Sequence, residues 1–223
     1  MLRPRPHPVR LSGGMRTLES ALSRRGLGPV AGVDEAGRGA CAGPLVVAAV
    51  VLPQTSGFTD LNDSKVLSPS HRNQLYEQLR RSRAHISVVT IPPADIDRLG
   101  VGECNLAGMR RAVATLPVTP GYALTDGFAV RGMPVSSLGV IKGDATAACV
   151  AAASIIAKVE RDRLMEALAS RYPQYGFADH KGYGTASHQQ ILAERGPTPE
   201  HRRSYANVAE AVGDGLPKPV TSQ

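Results

Sequence analysis

Residues 44–52 read PLVVAAVVL, an almost unbroken run of small and β-branched apolar side chains. Such a run fits a strand buried on both faces. A shorter apolar run, residues 29–33, ends only ten residues earlier. Two strands so close in sequence are expected to pair antiparallel, because a parallel return needs a longer crossover. The link between them is Asp34-Glu35-Ala36-Gly37-Arg38-Gly39, then small residues to Gly43. It is therefore tight and chemically loaded, with two adjacent acids and an arginine flanked by glycines.

A second constraint is the alanine-rich stretch 147–157, whose small side chains allow a helix to lie close against a sheet. That helix is predicted over residues 146–171, stopped by Pro173 and Gly176. Upstream, a short helix is predicted over 16–25. Ser68 and Pro69 read as the cap and first position of a helix running to about Arg83. Strands are predicted over 86–91, 122–124 and 135–141, with helices over 94–99 and 105–116. Two further short helices are predicted over 185–194 and 204–212. Two adjoining strands, then strands separated by helices, give an α/β fold with a mixed sheet flanked by helices.

Composition narrows the class. Apolar residues make up 42% of the 223 residues, enough for a core, which excludes wholesale disorder. No apolar run reaches the roughly 18 residues of a membrane span, and the start of the chain lacks a signal-peptide core. No membrane partner is expected, and a cytoplasmic location is. The cysteines Cys41, Cys104 and Cys149 are odd in number and form no C-x-x-C pair, which argues against a disulfide framework and a cysteine zinc site.

The net charge is +7, but it is unevenly placed. Residues 1–29 hold six arginines and a single acid, Glu19, while the rest of the chain is nearly balanced. Residues 1–15, rich in Pro and Arg, read as a flexible basic arm, 16–213 as a single domain and 214–223 as a loose tail. Such a charge favours a polyanionic partner. Lysine is scarce, with 5 against 21 arginines, and four of the five (Lys65, Lys142, Lys158, Lys181) fall within the motifs below. A position that stays Lys in this background suits a compact point charge better than a planar fork.

Four acids stand near the ends of predicted strands: Asp34 and Glu35 after the first, Asp126 after residues 122–124, and Asp144 before the long helix. Any one of them alone could be a turn residue, and Asp144 could cap that helix. Together they would converge if the strands are neighbours, because ligand sites in α/β sheets gather at strand ends. Converging carboxylates repel one another and call for a cation, and an oxygen-only ligand set selects Mg²⁺ or Mn²⁺. Two such ions make the clamp that nucleases use for in-line displacement.

Taken together, VAGVDEAGRG (residues 30–39), LNDSK (61–65), TDG (125–127), KGD (142–144), AAASIIAKVERD ending at Asp162, YPQYGF (172–177), HKGYGT (180–185) and HRRS (201–204) resemble the type 2 ribonuclease H family, the bacterial ribonuclease HII group. The resemblance spans about residues 16–208, in the family's order. It implies a ribonuclease H-like mixed sheet with a C-terminal helical extension. It also implies metal-dependent cleavage of the RNA strand of RNA–DNA hybrids. A nick 5′ of single ribonucleotides embedded in duplex DNA would leave 3′-hydroxyl and 5′-phosphate ends. Asp34, Glu35, Asp126 and Asp144 match the metal-binding acids, with two ions of Mg²⁺ or Mn²⁺ implied. Gly37, Arg38 and Gly39 match the loop that reads the 2′-hydroxyl, and Tyr183 matches the tyrosine that stacks near the RNA–DNA junction.

Ser64, Lys65 and Lys181 are assigned to substrate binding, the lysines as phosphate contacts. Lys158 and Asp162, one turn apart, could be only a helix pair. His180 and His201 lack a second histidine at ligand spacing and read as hydrogen-bonding residues. Cys41 reads as a packing residue. A monomer is expected.

Overall fold

The computed structural model describes the chain except residues 1–13, 55–57, 59–60, 62–63, 65 and 214–223. Residues 1–13 of the arm, the tail and Lys65 lie outside the described residues. In chain order the elements are α1 (Thr17–Arg24), β1 (Val30–Ala36), β2 (Leu45–Val51), α2 (Pro69–Arg81), β3 (His85–Ile91), α3 (Pro93–Leu99), α4 (Val101–Ala114), β4 (Tyr122–Asp126) and β5 (Ser137–Val140). There follow α5 (Gly143–Thr146), α6 (Ala148–Arg171), a 3-10 turn (Pro173–Tyr175), α7 (Phe177–His180), α8 (Ala186–Arg195) and α9 (Ala206–Gly213).

The strands form one mixed sheet in the order β3-β2-β1-β4-β5. β1 and β2 pair antiparallel, from Ala31 opposite Val51 to Ala36 opposite Val46. β1 runs parallel to β4, and β4 parallel to β5. Every residue of β2 is buried, as its apolar run requires. The described chain forms two compact units. The first comprises Met1–Ala36, Val46–Val89 and Leu106–Val159, and the second Gly37–Leu45, Thr90–Asn105 and Glu160–Gln223.

In the first unit, α6 lies almost in contact with β1. A Cβ placed on Gly32 would fall 2.1 Å from the Cys149 carbonyl carbon. Only glycine at 32 and a run of buried alanines on the helix permit that approach. The apolar core there joins β1, β2, α2 and the first half of α6. The cap of α2 forms as the sequence implies, with Ser68 accepting from the His71 N–H.

The long helix does not start at residue 146. Gly143–Thr146 is a separate turn, Ala147 is extended (φ −131°, ψ 120°), and α6 begins at Ala148. Asp144 is therefore not its cap. Glu19 supplies that role: its Oε1 accepts the Cys149 N–H at 2.6 Å, and the Ala148 N–H bonds to Met15 O at 2.9 Å. Glu19 is buried, and its Oε2 accepts from Arg16 Nε at 3.1 Å. A carboxylate at a helix N-terminus satisfies orphan amides and complements the dipole.

In the second unit, Met165, Tyr175 and Phe177 pack with Ala42, and Leu192 and Val208 with Cys41. These contacts gather the second half of α6, the 3-10 turn, α7, α8 and α9, which form the C-terminal helical extension. The 3-10 turn and α7 have no counterpart in the sequence expectations, because three- and four-residue turns carry no periodicity to read.

Candidate active site

Asp34 and Glu35 lie inside β1 rather than after it, Asp126 is the last residue of β4, and Asp144 sits in α5. Strand order makes β1 and β4 neighbours, which brings Asp34 and Asp126 side by side. A single hydrogen bond adds the third acid: the Gly143 N–H donates to Asp126 Oδ1 at 2.7 Å. Lys142, with φ 50°, turns the chain sharply just before it. Asp34, Asp126 and Asp144 consequently offer carboxylate oxygens that all lie within 4.8 Å of one another. Glu35, half-buried, stands outside that group of three.

The electrostatics follow from burial first and crowding second. Burial, then the negative charges of Glu35 and Asp126, push the Asp34 carboxyl well above its ordinary value of 3.8. The Glu35 amide, donating to Asp34 Oδ1 at 2.7 Å, and Ser154 act against that rise without cancelling it. Three oxygen donors in one small volume, mutually repulsive, fit a hard divalent ion.

Ser64 is buried, with its Oγ 2.7 Å from the hydroxyl of Ser154. That bond anchors its loop beside α6. Arg72 Nε, donating to Ser64 O at 2.8 Å, holds the same loop. Lys158 and Asp162 lie one turn apart on α6, as expected.

The remaining assigned residues belong to the second unit. Gly37 has φ +87°, and a Cβ there would fall 1.8 Å from Arg161 Nε, so no other residue fits. Arg38 and Gly39 are exposed. The loop is held by two fully buried arginines. Arg161 donates to Pro44 O (3.0 Å) and Ala42 O (3.1 Å). Arg202 donates to Gly43 O (2.9 Å) and Arg38 O (3.1 Å). The Cys41 and Ala42 amides bond to Gly182 O and the Gly43 amide to Glu200 O, so the loop is fixed by its carbonyls and its amides alike. Burial lowers the pKa of both arginines. Both stand in motifs singled out above, VERD and HRRS, yet sequence reasoning gave them no role.

Tyr183 is 39% exposed, with Arg161 Cζ 5.4 Å from its ring centroid. Lys181 forms an ion pair with Glu166 at 2.8 Å. His188, which sequence reasoning missed, is buried between His180 and His201: the His180 ring stacks on it at 4.0 Å and His201 Nε2 lies 3.0 Å away. Cys41 is buried, its Sγ 3.4 Å from Gly182 O.

A mixed five-stranded sheet flanked by helices, with carboxylates gathered beside its strands β1 and β4, is the ribonuclease H-like arrangement. The model of the family described as Ribonuclease HII matches residues 31–208. Ribonuclease HII of Mycobacterium avium (strain 104) is 59% identical over 210 residues, covering 93% of this chain and 91% of that protein. Among solved structures, ribonuclease H2 from Pyrococcus horikoshii OT3 is similar with a TM-score of 0.72 and 28% identity, over 83% of this chain and 97% of that one. The Archaeoglobus fulgidus ribonuclease HII, solved in a complex with PCNA, gives a TM-score of 0.68 and 29% identity over 79% and 94%. The chain belongs to the ribonuclease HII family. It is an endonuclease with ribonuclease H activity, hydrolysing the RNA of RNA–DNA hybrids. Among the described residues, no helix is long and apolar enough to cross a membrane.

Proposed function

We propose that the enzyme also nicks duplex DNA 5′ of a single embedded ribonucleotide, leaving 3′-hydroxyl and 5′-phosphate ends, and that it works as a monomer. The observation that carries this reading is the gathering of Asp34, Asp126 and Asp144 within 4.8 Å. These three, with Glu35 as the fourth acid, would hold Mg²⁺ or Mn²⁺, and Asp34 is assigned as the ligand shared by two ions. When bound, two such ions supply water activation and neutralise the leaving 3′-oxygen of an in-line displacement.

The chain's own residues supply recognition. The Gly37-Arg38-Gly39 backbone is assigned to the 2′-hydroxyl, the group that separates RNA from DNA. The exposed ring of Tyr183 is assigned to stacking on the sugar at the junction. Lys65 is assigned to a phosphate. Lys181 takes the same role by exchanging Glu166 for a phosphate oxygen. A duplex carrying one ribonucleotide tests the reading. One nick 5′ of the ribonucleotide, dependent on divalent metal and absent from all-DNA duplex, is expected. Cleavage that persists in chelator, or that ignores the ribonucleotide, overturns it.

A further inference from the structure

The motifs HKGYGT and HRRS carry histidines that the cleavage chemistry does not use. In the second unit His201 and His188 form a directed hydrogen-bond chain, and the His180 ring stacks on His188. Backbone amides can only donate, and this fixes where the ring protons sit. The Thr198 N–H donates to His201 Nδ1 at 2.9 Å, so the proton of a neutral His201 is on Nε2. That Nε2 faces His188 Nε2 at 3.0 Å, which must accept. The His188 proton is then on Nδ1, donating to Tyr183 O at 2.9 Å. The reverse order would set the bare Nδ1 of His188 against a carbonyl oxygen and two N–H groups against each other. Burial supports neutral rings, lowering the pKa of His188 and taking His201 down to about 3.

The other side of Tyr183 is fixed in the same way. The Gly182 N–H donates to His180 Nδ1 at 3.1 Å, so His180 Nε2 donates to Tyr175 O at 2.7 Å. The Tyr183 C=O and the Gly182 N–H one residue before it therefore meet imidazoles, and the Tyr183 N–H bonds to the His180 carbonyl at 2.9 Å, while its ring is left exposed.

We infer that His188 is a positioning residue for Tyr183, and that His201 acts through it by holding the His188 proton on Nδ1. This rests on the assignment of Tyr183 to the sugar at the junction. The substrate consequence is that the aromatic platform arrives pre-ordered, so duplex binding does not bear the cost of ordering that loop.

Nitrogen NMR of the full chain reads the tautomers directly. His188 protonated on Nδ1 and His201 on Nε2 are expected, and a His188 protonated on Nε2 overturns the inference. His188→Leu and His201→Leu should each raise KM for a single-ribonucleotide duplex about tenfold, with kcat within about twofold. The magnesium concentration at half-activity should not move. His188→Asn keeps a donor near the Nδ1 position and His201→Gln keeps one near Nε2, so both should stay within about threefold of wild type. Equal losses in the Leu and the conservative variants, or unchanged KM in the Leu variants, overturn the inference. If a Leu variant does not fold, the wild-type tautomers and the conservative pair still decide. Tyr183→Ala separates the two readings: wild-type KM in that variant removes the stacking assignment, whereas the tautomers stand or fall independently.

Discussion

The carboxylate cluster of the first unit and the histidine–arginine cluster of the second are both polar groups taken out of water, and they solve that problem in opposite ways. Asp34, Asp126 and Asp144 collect charge of one sign within 4.8 Å, and burial makes each further charge harder to hold. His188 and His201 are buried as neutral rings whose donors and acceptors meet in sequence. Arg161 and Arg202 spend their donors on loop carbonyls. The first arrangement concentrates like charge that a divalent ion would offset, and that is the electrostatic signature of a reacting site. The second is largely satisfied from within, and it holds a loop in shape. Crowding of like groups, more than burial, separates the residues that react from those that position.

Replacing Asp34 is the hardest test of that contrast. Asp34→Asn should reduce cleavage of RNA–DNA hybrid by at least about 1000-fold, while raising the melting temperature of the metal-free protein. The sign follows from linkage. A carboxyl whose folded pKa is raised contributes stability below its unfolded pKa of 3.8 and loses it as pH rises through the folded value. At neutral pH the buried charge is therefore a cost, and the amide removes it. Cleavage assays paired with thermal melts in chelator read both effects, and an unchanged or lower melting temperature would break the comparison.

Gly37 probes the satisfied cluster. Gly37→Ala puts a methyl group into the buried Arg161 guanidinium at a left-handed φ, so a loss of about 2–4 kcal/mol is expected by urea unfolding. Gly39→Ala, with nothing within 4 Å of its new Cβ, should cost far less. Equal losses would mean that the arginine does not define the loop.

The smallest effect is a slope. His201 has a folded pKa of about 3 against an ordinary 6.5, so between those values the unfolded chain takes up a proton that the folded chain refuses. Its contribution is intact above pH 6.5 and is lost as pH falls toward 3, by up to about 1.4 kcal/mol per pH unit. His201→Gln should flatten that part of the stability profile measured from pH 7 to 4, and an unaltered slope would place the titration elsewhere.

Much of this was legible in the sequence because it depended on local pattern. The run at residues 44–52 specified a buried strand antiparallel to its predecessor, and the alanines of 147–157 specified a helix close to the sheet. What was misread depended on distant partners. The break at Ala147 follows from Glu19, about 130 residues away in sequence, which takes the Cys149 amide. Glu19 was visible only as the lone acid among six arginines. His188 sits in α8 with no spacing that marks it, and its partners come from the HKGYGT and HRRS segments.

The sequence by itself determined the inventory: four acids near strand ends, a glycine-flanked arginine, and lysines kept within motifs. It determined the family as well, since those segments are specific in combination. Only the tertiary structure decided that three of the acids meet, because the parallel pairing of β1 with β4 and the bond from Gly143 to Asp126 set their separation. It also decided which nitrogens of His188 and His201 carry protons. Strand pairing and tautomer choice are settled by groups that approach through space, and sequence distance does not record that approach.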